Sequence, residues 1–211
     1  MKNLVIIGAG GFARGIYWLA QKSLGFGVDW QIKDFLDGNV KLSEAAYELL
    51  PGKILGDVNT YEICDDDVFA CGVGDFKARK VLIEKILARG GKFINLVSKL
   101  AEVIPTVKLG RGVIIFPFVG ISDNTQIGDF VLANAQTIIG HDAHVGNFSC
   151  MMPHVAVCGN CKVGANVFIG SGAVILLKAK VEDGATIGAG CVVLKKVSAG
   201  ATVFGNPAIE L

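Results

Sequence analysis

No apolar stretch of this 211-residue chain reaches the roughly 18 residues that a membrane-spanning helix requires, and the opening MKNLVIIGAGG is too short in its apolar run for a secretory leader. The expected location is therefore cytoplasmic. Charge of one sign is also missing. With 20 Lys and Arg against 19 Asp and Glu, the net charge of +1 gives no general attraction to nucleic acid or to an anionic membrane, so neither is expected as a partner. Six cysteines are scattered through a chain large enough to bury its own core, so no disulfide framework is needed and reduced thiols are expected. Histidine is scarce: any imidazole chemistry must come from His141, His144 or His154.

What the chain has instead is a repeat. From Val103 every sixth residue is apolar, through Leu109, Ile115, Ile121 and onward to Ile187 and Val193. The residue two places earlier is small or β-branched throughout, from Ala101 to Cys191. Glycine follows the register position at Gly110, Gly128, Gly140, Gly146, Gly164, Gly170 and Gly188, which suits a tight turn where a side chain would clash. Each hexad supplies a short strand and a corner, three hexads close a triangular coil, and stacked coils pair as parallel strands. This pattern predicts a left-handed parallel β-helix. Lys195 to Gly200 breaks the register, and Thr202 to Leu211 is expected to cap the exposed coil.

Residues 1–97 read differently and are expected to form a separate, small Rossmann-like α/β domain, with the β-helix at 98–211. The apolar run Leu4 to Ile7 leads into Gly8-Ala9-Gly10-Gly11 and then a helical pattern over Phe12 to Lys22. Strands are expected at Ile32–Leu36, Val68–Val73 and Phe93–Leu96. A helix is expected over Lys77–Arg89 with Val81, Leu82, Ile86 and Leu87 inward. Gly38 to Thr60 carries no clear signal.

Gly8, Gly10 and Ala13 fit G-x-G-x-x-G/A between a strand and a helix, where backbone N–H groups at a helix N-terminus can hold a phosphate. Asp37, ending the second strand, can accept hydrogen bonds from a ribose or a base. His141 follows Gly140 at a corner, its side chain outward, and the adjacent Asp142 makes it resemble a base held by a carboxylate. Histidine spacings of three and ten do not fit a shared three-histidine zinc site. Cys158-Gly-Asn-Cys161 places Cys161 inward with no second pair, so no metal is expected.

Together these residues resemble the hexapeptide-repeat acyltransferases, and within them the NeuD/PglD-like sugar acetyltransferases of sialic-acid and bacillosamine pathways. The resemblance rests on Gly8-Ala9-Gly10-Gly11, Phe35-Leu36-Asp37, Val73-Gly74-Asp75 with Arg79, Asn134 seven residues before His141-Asp142, Val145-Gly146-Asn147-Phe148-Ser149 and Gly205-Asn206-Pro207-Ala208. It departs from the subgroup at Phe12, where a histidine is usual, at Cys150, where relatives present a histidine, and at Val97-Ser98.

The resemblance implies acetyl-CoA as acyl donor, a homotrimer, and a nucleotide-linked amino sugar as acceptor in surface glycan synthesis. Gly10, Gly11, Phe12, Asp37 and Gly74 would bind the nucleotide sugar, and Asn134 would help place the acceptor. His141 would act as general base in direct transfer, with Asp142 orienting it. Cys150, Gly159, Ser171 and Ala189 would face the donor, a backbone N–H near Gly159 stabilising the oxyanion. O-acetylation of a sialic-acid type acceptor is the neighbouring alternative. A non-catalytic trimeric sugar-nucleotide binder is a third reading, against which His141-Asp142 argues.

Overall fold

The computed structural model describes residues 1–38 and 47–211, so 39–46 of the Gly38 to Thr60 segment lie outside the described residues. Two compact units result, Met1–Leu96 and Val97–Leu211.

The first unit runs β1 (Lys2–Ile7), α1 (Gly11–Gln21), β2 (Trp30–Leu36), β3 (Ile54–Gly56), β4 (Asp67–Cys71) and α2 (Phe76–Ala88). The strands form one sheet in the order β3-β2-β1-β4, all parallel. Leu4 to Ile7 in central β1 expose no surface, which is why that strand reads as an unbroken apolar run. The end of β4 approaches α1 so closely that a Cβ at Gly72 would lie 2.7 Å from Ala13 Cα. That contact explains both small residues.

Two expectations for this unit need correction. Phe93–Leu96 is not a further strand of the sheet: Phe93 makes a single parallel bridge to Phe69. The fourth strand is instead the short β3, drawn from the segment without a clear signal. In α2 the buried line is Arg79, Ile83 and Ile86, whereas Val81 is exposed. Spacings of four and three keep 79, 83 and 86 on one helical face, and position 81 falls off it.

The second unit is a left-handed parallel β-helix. Its first face stacks the strands at Glu102, Gly120, Ile138, Ala156, Val174 and Val192, and its second those at Lys108, Gln126, His144, Lys162, Lys180 and Lys196. A third face includes Ile114, Leu132, Cys150, Phe168, Thr186 and Thr202. Pairing joins residues eighteen apart, as Gln126 with His144, so three hexads make one coil. The register residues and the small residues two places earlier fill the interior, with Val155, Ile169, Ala173, Ile175, Ala185 and Ile187 wholly buried. The break at Lys195 to Gly200 is a shortened coil, since Lys180 pairs with Lys196 and Val181 with Val197, sixteen residues on. At the end Val203 and Phe204 pair antiparallel with Glu210 and Ile209.

The corner chemistry differs from the sequence reading in one respect. The glycines after the register position are required by the neighbouring coil, because a Cβ at Gly140 would sit 2.6 Å from Gly159 N and one at Gly146 2.5 Å from Gly164 C. The left-handed backbone falls two residues later, where φ lies between 55° and 70° at every sixth position from Gly112 to Gly190. Asn, Asp, Phe, His, Gln and Lys occupy most of those positions. Asn124 and Asp142, both at φ 55°, therefore stand one above the other on the same edge.

Candidate active site

In the first unit the strand ends, the glycine turn and α2 surround a cleft of about 410 Å³. Gly10, Gly11, Phe12, Asp37 and Gly74 all line it, so the structure gathers every residue expected of the nucleotide site there. Asp37 Oδ2 accepts the Ala9 N–H at 2.9 Å, which fixes the carboxylate at the mouth of the turn. The N-cap of α1 is Gly10, whose lack of a side chain leaves the helix N-terminus without a side-chain cap. Such an end attracts anions. Val58, Asn59, Leu82 and Lys85 also line the cleft, and sequence reasoning did not find them. Val58 and Asn59 lie in the segment that carried no signal, and Lys85 reads as an ordinary solvated helix lysine.

On the β-helix, His141 occupies the edge between the first and second faces. Its Nδ1 lies 2.7 Å from Asp142 Oδ2. Asp142 Oδ1 accepts the Asn124 Nδ2–H at 2.8 Å from the preceding coil, and Asn124 N–H in turn donates to Thr106 Oγ1 at 3.0 Å. Hydrogen bonds from His141 and Asn124 hold the Asp142 carboxyl below the usual carboxylate range. With an ionised acceptor at Nδ1, the neutral ring carries its proton there and presents Nε2 as a lone pair. Asn124 was not identified from sequence, although its place one coil before Asp142 follows from the hexad count.

The imidazole lies against Gly159 of the next coil, where a Cβ would be 2.6 Å from His141 Nε2. Only glycine leaves room for the ring there. Among the described residues no protein acceptor takes the Gly159 N–H, because Leu177, one coil further, has no side-chain oxygen. At the edge between the second and third faces the equivalent amide is closed, as where Asp183 Oδ1 accepts the Ala165 N–H at 2.8 Å. His141 thus brings an accessible base, 56% exposed as a side chain, beside buried Gly159, whose N–H has no protein acceptor among the described residues.

A groove of about 340 Å³ runs from His141 onto the first face, floored by Gly120, Ile121, Ile138 and Ile139 with Glu102 at its end. Ile138 is 52% exposed. A larger hollow of about 670 Å³ lies on the second face over Gly146 and Gly164, flanked by His144, Lys162 and Lys180, and contains none of the expected site residues.

The remaining expected residues lie elsewhere on the β-helix. Asn134, whose Oδ1 accepts the Ala135 N–H at 2.8 Å, stands on the edge between the third and first faces, together with exposed Ser171 and Ala189. Across the first face from His141, these three are not brought to it within one chain. Cys150 is on the third face and buried, its Sγ 3.8 Å from Phe148 O. Phe130 is buried and stacked on Phe148 with centroids 4.9 Å apart. Phe118 is exposed. No group of three or more His, Cys, Asp or Glu residues suited to a metal occurs among the described residues, nor is any described helix long and apolar enough to cross a membrane.

Residues 3–86 match the family described as the PglD N-terminal domain. Over 150 residues the chain is 38% identical to a GDP-perosamine N-acetyltransferase from Escherichia coli O157:H7, covering 68% of this chain and 67% of that protein. Among solved structures, the acetyltransferase domain of PglB from Neisseria gonorrhoeae FA1090, in complex with acetyl coenzyme A, superposes with a TM-score of 0.87 at 25% identity, covering 100% of this chain and 99% of the other. PerB from Caulobacter crescentus, in complex with CoA and GDP-perosamine, superposes with a TM-score of 0.84 at 24% identity, covering 100% and 98%.

Proposed function

Because the chain belongs to the PglD-like hexapeptide-repeat sugar acetyltransferases, we propose that it transfers the acetyl group of acetyl-CoA to the amine of a nucleotide-linked amino sugar, with His141 as general base. The observation that carries this reading is the His141–Asp142 pair set against Gly159. Asp142 holds the proton on Nδ1, leaving Nε2 to accept one.

In this mechanism the neutral sugar amine attacks the thioester carbonyl carbon, and Nε2 removes a proton from the nitrogen as the new C–N bond forms. The carbonyl oxygen becomes negative and takes the Gly159 N–H as a donor. Collapse of the tetrahedral species breaks the C–S bond, and the imidazolium returns its proton to the departing thiolate. The products are the amide and CoA. Asp142 stabilises the transient imidazolium without taking its proton. No acyl-enzyme forms, and buried Cys150 has no role as a nucleophile.

The cleft of the first unit takes the nucleotide, its diphosphate on the uncapped N-terminus of α1 and a ribose or base hydrogen-bonded to Asp37. The donor lies along the first face, in a groove completed by a second copy of the chain within a homotrimer. Two features support the assembly: Ile138, Leu177 and Leu194 are each more than half exposed beside that face, and Ser171 and Ala189 stand on a different edge from His141. A neighbouring protomer can offer the second edge to the first.

The experiment is thiol release from acetyl-CoA across GDP-, UDP- and dTDP-linked 3-amino and 4-amino sugars, with CMP-sialic acid and free sialic acid included. Turnover with an amino sugar and formation of its amide is the expected result. Turnover with sialic acid alone would replace N-acetylation by O-acetylation, and an absence of both turnover and CoA binding would refute the enzyme reading.

A further inference from the structure

We infer that Lys85 reads the base of the nucleotide and selects guanine, through the two adjacent acceptors on that ring's edge. The inference rests on the reading of the cleft as the nucleotide site.

Ala78, Leu82 and Lys85 fall on one face of α2 and all line the cleft. Seven residues of helix rise about 10 Å, so Lys85 lies roughly that far along the cleft wall from the residues beside the glycine turn. A diphosphate at the turn and a ribose at Asp37 place a base toward the Lys85 end. Buried Val58 and half-buried Leu82 also line the cleft and offer apolar surface to a flat ring.

At that end the polar groups are fixed. Asp57 Oδ1 accepts both the Asn59 N–H, at 2.6 Å, and the Asn59 Nδ2–H, at 2.7 Å. The amide is thereby turned so that Asn59 Oδ1 accepts from Lys85 Nζ at 3.0 Å. No carboxylate lies within ion-pair distance of Lys85 among the described residues, so its charge is held by a neutral amide. An ammonium has three donors, and with one on Asn59 two remain for a ligand. Guanine offers O6 and N7 side by side as acceptors. Adenine pairs N7 with an amino donor that an ammonium repels, uracil has no two adjacent acceptors, and the adjacent N3 and O2 of cytosine lie on the side of the ring that O2 turns back toward the ribose. Lysine contact with guanine O6 and N7 is a recurrent means of base discrimination.

The test measures binding of GDP, ADP, UDP and CDP to the full chain by calorimetry, for the wild type and for Lys85→Met. Lys85 is exposed, and methionine keeps most of its stem and its helix propensity, so the variant is expected to fold. The wild type should bind GDP about tenfold or more tighter than the other three, and Lys85→Met should remove that margin while leaving UDP binding unchanged. With a GDP-linked amino sugar as acceptor the variant should raise KM about tenfold or more. Equal weakening of GDP and UDP would make Lys85 a phosphate contact and overturn the inference. So would a wild-type preference for UDP, or a variant that retains the GDP preference. Failure of every nucleotide to bind would instead overturn the assignment of the cleft itself.

Discussion

Gly159→Ala adds one methyl group and tests the proposed geometry where it is tightest. The new Cβ would sit 2.6 Å from His141 Nε2, 2.9 Å from Cε1 and 3.1 Å from Cδ2. Ordinary contact between such atoms begins near about 3.5 Å, so the imidazole must retreat by nearly ~1 Å. Its Nδ1 is tied to Asp142 at 2.7 Å, so the ring escapes by swinging Nε2 outward, away from the Gly159 amide. A misplacement of that size costs about 100-fold in rate. The backbone at Gly159 lies outside the left-handed region, so alanine adopts it without strain, and the replacement offsets part of the clash by about 0.4–1 kcal/mol through the unfolded state. The assay is kcat from thiol release at saturating donor and acceptor, with CoA affinity and Tm measured beside it. The expected result is a fall in kcat of about 100-fold with Tm within a few degrees of the wild type. A kcat within twofold of wild type would show that Nε2 is not confined between the Gly159 amide and the acceptor.

Asp142→Asn keeps the shape but offers an amide to Nδ1, allowing the proton to move to Nε2; kcat should fall by about 10²- to 10⁴-fold with little change in CoA affinity, as checked by steady-state kinetics and calorimetry. Asn124→Gly retains the left-handed backbone while removing the hydrogen bond to Asp142 Oδ1; kcat should fall by about three- to tenfold with KM unchanged, and NMR titration should find the Asp142 carboxyl moved back up toward its ordinary range. In the first unit, burial pushes the Asp67 carboxyl up, but hydrogen bonds from Lys33, the Cys64 N–H and Tyr61 Oη outweigh it and leave the group below the usual carboxylate range. A depressed carboxylate contributes stability that is complete above its unfolded value and is lost as pH falls through the folded one. Denaturant titration should therefore find Asp67→Asn less stable than wild type by about 2 kcal/mol at neutral pH, with the difference shrinking in acid.

The β-helix was legible because its constraint is one-dimensional. Each register residue from Ile121 to Val193 meets the same interior, so chemistry repeats along the chain with the geometry. His141 and Asp142 were legible for a similar reason, since adjacent residues at a corner share one edge. Asn124 was not, because its link to Asp142 passes between coils and appears only when positions eighteen apart are compared. The cleft of the first unit was half legible. Its glycine turn and Asp37 belong to local strand–turn–helix patterns, whereas Val58, Asn59 and Lys85 come from separate segments that only the tertiary fold brings together. β3 was missed because three residues carry too little periodicity. Cys150, expected to face the donor, lies buried on the third face, which its place in the hexad alone does not foretell.

The most direct test of the account is His141→Ala, assayed by mass spectrometry for acetylated amino sugar alongside thiol release, with CoA and nucleotide affinities measured on the same preparation. His141 is exposed at a corner, so the fold and both affinities should survive. The predicted result is loss of turnover by about 10³-fold or more with binding intact, as expected when a general base is removed. Near-normal turnover with the correct acceptor would contradict the assignment of His141, and with it the proposed mechanism.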